Sequence, residues 1–513
     1  MMDDEEQEDL LVRASSDNED FTDNEDGFDI CRKNILNSEK TSDSCYERLQ
    51  FIFTGVVLII SSTVLLILLP LYLETVNAKS DAYTALLFTC LGTTTVLFVI
   101  GCVTGRFLNG MKPTLSMPFS LSKVYRSGTL CGISGFLIVY ALDRKRVMCH
   151  IQDPIKGIVL VFSLVYYFFF CRKMMGLQQI FCSTTIVVGL FVSVDYGLCD
   201  EFRCRGNERE HRSEDAGYWS WKIHSSWTVI YIIGLALWSL HHTLLEGLLV
   251  THGGVLYTGP GGSLLATVSR LVSTRDTHSS STVRHSRPLL QAADEERERD
   301  MSSGDQQRQI AYMKPHHNSG PRPCALSIAL WNHFVSLQIL LTLCWTDMIP
   351  VIGKGSSAHE FWTNLSTGIL CHFGYESYHQ NSTVTLLYTG AQGCNHVTEY
   401  AWPFLAAYVV FAVSSMHFLI LSESSVFTVA MTTAALPLGS IWWSLFRMNM
   451  HEGGHAQNLV QWSPSITGEL ICSILGLPVV LVGLAILYKS HFHEKDLGKT
   501  APICTRRLST GLA

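Results

Sequence analysis

The sequence predicts an all-α, polytopic membrane protein with about ten transmembrane helices in a 5+5 inverted repeat. Three observations predict it. Of 513 residues, 47% are hydrophobic and only 16% are charged, against about 25% charged residues in ordinary soluble domains. The apolar residues gather in runs close to the length that crosses a hydrocarbon core, roughly 20 residues at a rise of about 1.5 Å each. Two pairs of these runs, one late in each half of the chain, resemble each other.

The runs place spans near 49–73, 82–105, 127–142, 154–171, 178–198, 225–249, 326–350, 400–421, 425–446 and 465–488. In lipid a backbone must satisfy its own hydrogen bonds, so each run is read as a helix. The third and fourth are short, and the third is rich in glycine. The resulting plan is a tail 1–48, helices 1–5 in 49–198, a luminal loop 199–224, helix 6 in 225–250, a cytosolic linker 251–325, helix 7 in 326–350, a luminal loop 351–399, helices 8–10 in 400–488 and a cytosolic tail 489–513.

The segments between spans are read from their charge. Residues 1–40 hold fourteen Asp and Glu against four Lys and Arg, a solvated acidic tail without the apolar core of a cleavable signal, so the first span is expected to act as the signal. The linker 251–325 is rich in Ser, Arg, Gly and Gln and poor in aromatics, a composition that cannot bury a core. Its run Asp294–Asp300 reads as solvated charge. Nothing in the charge distribution suggests a nucleic-acid surface.

An even number of spans puts both termini on one side. Asn364-Leu-Ser and Asn381-Ser-Thr are glycosylation sequons in the loop 351–399, which makes that side luminal or extracellular. Arg106, Lys112, Lys123, Arg126, Arg172, Lys173, Lys489 and Lys495 fall on the opposite face, as the positive-inside rule asks. Loop 143–153 breaks that rule with Arg144, Lys145 and Arg146. Of sixteen cysteines, Cys199 and Cys204 lie in one luminal loop and Cys371 and Cys394 in the other. An oxidising lumen allows Cys199–Cys204 and Cys371–Cys394 bridges, with four free thiols as the alternative.

The internal repeat pairs spans four and five with spans nine and ten. Each first helix ends near a double aromatic, Tyr166-Tyr167 or Trp442-Trp443, and each second helix carries glycine. Five spans per half invert one half relative to the other, as in many carriers whose site lies between the halves. With ten spans, this repeat and the helix–turn–helix character of 154–198 and 425–488, the chain resembles the drug/metabolite transporter superfamily. Lys156, at the start of the fourth span, is similar to the lysine of nucleotide-sugar-transporter-like members. The long cysteine-bearing loop 351–399 is similar to that of chloroquine-resistance-transporter-like members, while the long linker departs from both. The resemblance implies alternating access around a central cavity and does not name the cargo.

Ionisable groups inside spans are costly and mark the candidate pathway. Lys156 either snorkels to the surface or attracts an anionic cargo. Asp195 sits near the luminal end of span five. His241, His242 and Glu246 lie on span six, where His242 and Glu246 are one turn apart; two ligands complete no metal site, so a proton relay competes with a solvated cluster. His333 and His417 read as helix–helix hydrogen bonds or as pathway groups. Asp347 and Glu469 fall near the luminal mouth. Tyr166, Tyr167, Trp442 and Trp443 wall a cavity or pack between helices, and Pro437 and Pro478 kink spans nine and ten.

No catalytic pattern is present, so an enzyme is not expected. Glu6, Leu10 and Leu11 form an acidic dileucine signal in the cytosolic tail. The expected function is a secondary transporter of a small polar or charged organic solute in an endosomal or lysosomal membrane, with proton coupling as an option. A Golgi nucleotide-sugar transporter and a non-transporting receptor or scaffold are the alternatives; a Golgi or plasma-membrane location goes with them. Expected partners are a small-molecule substrate, the lipid bilayer, a clathrin adaptor at the dileucine and, as an open option, a second copy in a homodimer. No cofactor and no metal are expected.

Overall fold

The structure, a computed structural model, describes residues 25–107, 117, 119–171, 177–193, 220–252, 324–349, 352–353, 357–380, 383–387, 394–448, 459–466 and 468–500. The chain divides into two units, Met1–Phe53 and Thr54–Ala513. The first contributes the opening turns of α1 (Glu25–Lys79), inside the stretch expected to be a solvated acidic tail. Extending an existing helix needs no new nucleation, so the apolar run propagates its helix outward.

The second unit is a bundle of α-helices. Among the described residues, eight helices are long and apolar enough to cross a membrane: Tyr46–Asn77, Ala82–Arg106, Ile151–Phe170, Trp221–Leu249, Ala325–Met348, His396–Ser422, Ser425–Leu445 and Leu470–Phe492. Each matches an expected span within a few residues. The third and fifth expected spans are helices too, α3 (Leu121–Leu142) and α6 (Leu177–Ser193). Neither reaches that length and hydropathy together. α3 opens with Lys123 and Arg126, and α6 has a shorter apolar stretch, Ile180–Ser193.

The remaining helices are α2 (Ala82–Phe107), α7 (Trp221–His252), α8 (Ala325–Thr342), α10 (Asn395–Ser422) and α13 (Gly468–Thr500), together with two interrupted rods. One rod is α4 (Cys149–Gly157) followed by α5 (Val159–Tyr166); the other is α11 (Ser425–Thr433) followed by α12 (Ala435–Leu445). Both breaks fall after a first segment of nine residues. Gly157 ends α4, a residue that costs a helix about 1 kcal/mol relative to Ala. Pro437 cannot donate to the carbonyl one turn back, on Thr433, and α11 ends there. Pro478, by contrast, lies within the unbroken α13.

Packing follows small residues. Gly128 and Gly132, one turn apart on α3, let the α8 backbone approach, and Ser336 Oγ donates to the Gly128 carbonyl at 3.0 Å. α6 and α13 meet through Gly189, Gly476 and Gly483, with Ser473 Oγ donating to the Ser193 carbonyl at 3.2 Å. α3 packs on α7, α2 on α8, α5 on α11 and α6 on α13. Tyr72 of α1 packs on Phe404 of α10, and Leu66 of α1 faces Gly439 of α12.

The described part of the stretch expected to be luminal loop 351–399 carries regular elements. It holds α9 (Ala358–His372) and a hairpin of β1 (Glu376–Gln380) and β2 (Thr383–Leu387), antiparallel with Glu376 opposite Leu387. A second small hairpin pairs β3 (Phe446–Met448) with β4 (Val460–Trp462). Ser357 caps α9 by accepting from the Glu360 amide. The Cys371–Cys394 disulfide forms as expected and ties the end of α9 to the start of α10. α9 is pinned to the α1–α2 corner: Ser80 Oγ donates to the Asn364 carbonyl at 3.1 Å, and Tyr72 OH lies 2.7 Å from His372 Nε2. Asn364 is half-buried within α9. The tail positions Glu6, Leu10 and Leu11, the sequon Asn381, and Cys199 and Cys204 lie outside the described residues.

Candidate functional site

Buried polar groups gather at two levels of the bundle. The first lies where α3, α7, α8 and α10 meet. On α7, consecutive histidines point to different helices because 3.6 residues make a turn. His241 Nδ1 lies 3.0 Å from the Ser127 carbonyl of α3. His242 Nδ1 lies 3.1 Å from the Trp238 carbonyl, and its Nε2 lies 3.2 Å from Ser415 Oγ of α10. The two rings stand perpendicular, with centroids 5.2 Å apart. His333 of α8 repeats the pattern: Nδ1 is 2.8 Å from the Ala329 carbonyl, and Nε2 is 3.3 Å from Tyr408 OH of α10.

A carbonyl can only accept, so Nδ1 carries the proton in all three rings. In His242 and His333 the Nε2 lone pair then accepts from a hydroxyl. Tyr408 and Ser415 sit two turns apart and so on one face of α10. The three imidazoles are buried, and two present a basic nitrogen already engaged with a proton donor. Imidazoles so hydrogen-bonded are the groups through which a proton could be relayed, although charging a ring held away from water is costly.

One turn further along α7, Glu246 faces α11 rather than α10. Its Oε2 accepts from the Ser425 amide at 2.8 Å and from Ser425 Oγ at 2.6 Å. A carboxylate at the start of a helix meets the orphan amides and the positive end of the helix dipole. The expected His242–Glu246 face is thus divided between two partners. Glu246 joins α7 to the first half of the broken ninth rod.

The second level lies at the opposite end of the bundle, and most of its residues were not singled out in the sequence. Arg146 is fully buried. Its Nη1 donates to the Tyr140 carbonyl at 2.9 Å and lies 3.5 Å from Asp143 Oδ2, and its Nη2 donates to the Ile352 carbonyl. The guanidinium lies 4.3 Å from the centroid of the Trp227 ring, a cation–π distance. His224 Nδ1 binds the Arg146 carbonyl at 2.6 Å. Arg144 pairs with Asp81 at 2.8 Å and with Asp143 at 3.4 Å. Asp347 accepts from Tyr140 OH at 3.1 Å, and Tyr83 OH donates to the Leu340 carbonyl at 3.0 Å.

This network takes in two of the three basic residues of loop 143–153. Arg146 is buried and Arg144 is partly buried, its side chain 21% exposed. Both lie within ion-pair distance of carboxylates. The charge cluster was the available sequence signal; the partners Asp81, His224 and Trp227 lie too far away in the chain to be read from it. Burial pushes the Asp143 carboxyl above the usual carboxylate range, while Arg146 and then Arg144 pull it back.

Other expected site residues have different surroundings. Lys156 is held by Asp153 at 2.9 Å on the half-helix α4. Tyr166 packs against Phe170, and Trp442 stacks on Phe446 at 4.1 Å; Trp443 joins Leu71 and Met448 in a small core. These aromatics pack between elements. His417 is half-buried on α10. Asp195 lies outside the described residues, as does the side chain of Glu469. Among the described residues, no group of three or more His, Cys, Asp or Glu side chains is placed to hold a metal ion.

Fold and buried polar groups together define an α-helical, multi-pass membrane protein. In comparisons with known proteins, no family model matches the chain and no curated protein matches it significantly.

Proposed function

We propose that the protein is a secondary transporter of a small polar or charged organic solute, built on ten crossings in two inverted halves and coupled to protons. The observation that carries this reading is the matched interruption of the fourth and ninth rods, each after nine residues. Interrupted helices at corresponding places in two halves are a mark of carriers, in which the freed backbone serves a site or a hinge. The packing supports the same relation. Counterpart rods touch each other, α2 with α8, α5 with α11 and α6 with α13. The contact of α7 with α3 has a counterpart in that of α1 with α10.

In this reading the His241, His242 and His333 level carries the coupling proton, and the Arg146 and Glu246 ends are the two gates. The likeness to drug/metabolite transporters and an endolysosomal address through Glu6, Leu10 and Leu11 belong to the same proposal. Purified protein in proteoliposomes with an acidic compartment on one side tests it. Uptake from a panel of organic solutes should follow the proton gradient and collapse with a protonophore. In a His242→Gln, His333→Gln double variant it should lose its dependence on the gradient. No uptake of any panel member by folded, reconstituted protein contradicts the proposal.

A further inference from the structure

At the Arg146 end, five segments are drawn together: the α1–α2 corner through Asp81, the end of α3 and its following turn through Tyr140, Asp143, Arg144 and Arg146, the start of α7 through His224 and Trp227, the turn Cys344–Met348 after α8 through Asp347, and the chain at Ile352. The segments come from both proposed halves, so this end cannot part without breaking these bonds. Its described charges do not balance. Three buried carboxylates, Asp81, Asp143 and Asp347, face two guanidiniums.

Asp347 is the member placed differently. Asp81 and Asp143 each lie within ion-pair distance of an arginine. Asp347 receives a hydrogen bond from the neutral hydroxyl of Tyr140, and its backbone is pressed against Gly353 so closely that a Cβ there would fall 1.7 Å from the Asp347 carbonyl oxygen. A buried carboxylate with no arginine at ion-pair distance is the one of the three that gains most by being neutral.

We propose that this end of the bundle closes with one proton bound, and that Asp347 holds it. Closing therefore takes up a proton, and opening to water releases it. Tyr140 of α3 donates to Asp347; the other charged and titratable groups near enough to act on it are Tyr83 of α2, Asp81 of the α1–α2 corner, and Asp143, Arg144 and Arg146 of the segment after α3, with His224 bound to the Arg146 carbonyl. The upward push of burial on Asp143 points the same way, since the folded network favours bound protons. By linkage, the closed form is favoured as pH falls and weakened as pH rises. The inference rests on the reading of this end as a gate, and not on the identity of any cargo.

Hydrogen–deuterium exchange of the full-length protein in nanodiscs, followed by mass spectrometry across pH 5 to 8, tests it without any cargo. After correction for the chemical exchange rate, amides at 143–148 and 346–353 should open up to about tenfold more per pH unit over the range where the proton is lost. Asp347→Asn, which keeps the acceptor for Tyr140 and needs no proton, should stay closed across the range. His224→Gln should keep the pH dependence. Tyr140→Phe, which removes the donor that favours the charged carboxylate, should move the transition to higher pH. Corrected exchange that is flat in the wild type, or a dependence that survives Asp347→Asn or vanishes in His224→Gln, overturns the proposal. If Asp347→Asn does not fold, an unmoved transition in Tyr140→Phe overturns it. Proteoliposome flux reports on the carrier reading separately.

Discussion

Arg146 is fully buried yet touches Asp143, the Tyr140 and Ile352 carbonyls and the face of Trp227. Taking a guanidinium out of water costs several kcal/mol, and this set of partners is what offsets it. Removing one partner of a buried pair is the expensive change, because the other charge stays behind. Arg146→Ala should therefore lower stability by about 3–5 kcal/mol, read as a fall in Tm in detergent, while Asp143→Asn in the same background should recover part of it. His372 gives a second residue-scale prediction. Its Nδ1 binds the Gly368 carbonyl at 2.6 Å and its ring stacks on Phe88 at 4.2 Å. Burial lowers its pKa to about 4, with the Gly368 hydrogen bond opposing. A depressed value means the folded state binds the proton less readily than the unfolded chain. The associated stability is present above pH 6.5 and is lost as pH falls through about 4, an effect of about 3 kcal/mol. Unfolding measured across that window should show it, and His372→Gln should flatten the curve. At this scale the sequence exposed the costly groups but not their partners. Asp347, His241, His242 and Glu246 stand out as charges in apolar runs, whereas Tyr140, Ser425 and Tyr408 look like ordinary span residues until distant helices meet.

Helices were the most legible elements, because a run of apolar residues about 20 long has few other uses. Ends shifted by a few residues, since a helix stops where its caps and packing allow rather than where hydropathy falls. The hairpins went unread because strands of three to five residues such as Glu376–Gln380 are too short to show a period, and α9, at 15 residues, is too short to register as a span. The break at Ala434 was foreshadowed by Pro437, while the one at Ile158 follows Gly157, a weaker signal. Two predictions belong to elements. In α13, a Cβ at Gly476 would fall 2.6 Å from the Gly189 carbonyl oxygen and 2.0 Å from Ser193 Oγ. Gly476→Val should thus force α6 and α13 apart and cost at least about 1–3 kcal/mol, seen as a lower Tm. Pro437→Ala restores an amide that can bond to Thr433 and should fuse α11 with α12. If the interruption is a hinge, Tm rises in this variant while solute turnover in proteoliposomes falls; unchanged turnover would remove the hinge role.

For the whole molecule, composition and span lengths were enough to establish a helical bundle in a membrane, and the similarity of two hairpins was enough to suggest inversion. Which helices pack together could not be read, because it depends on which glycine faces which backbone. The central claim is that the two halves move so that one end opens as the other closes. Double electron–electron resonance tests this most directly, on protein whose free cysteines are replaced and whose labels occupy exposed positions. One pair, Val192 with Trp345, reports on the Arg146 end, and a second, Tyr125 with Glu423, reports on the Glu246 end. As pH is varied in nanodiscs, the account predicts two distance populations in each pair, changing in opposite directions at the two ends. A single unchanging distance at both ends, or a parallel widening of both, would contradict it.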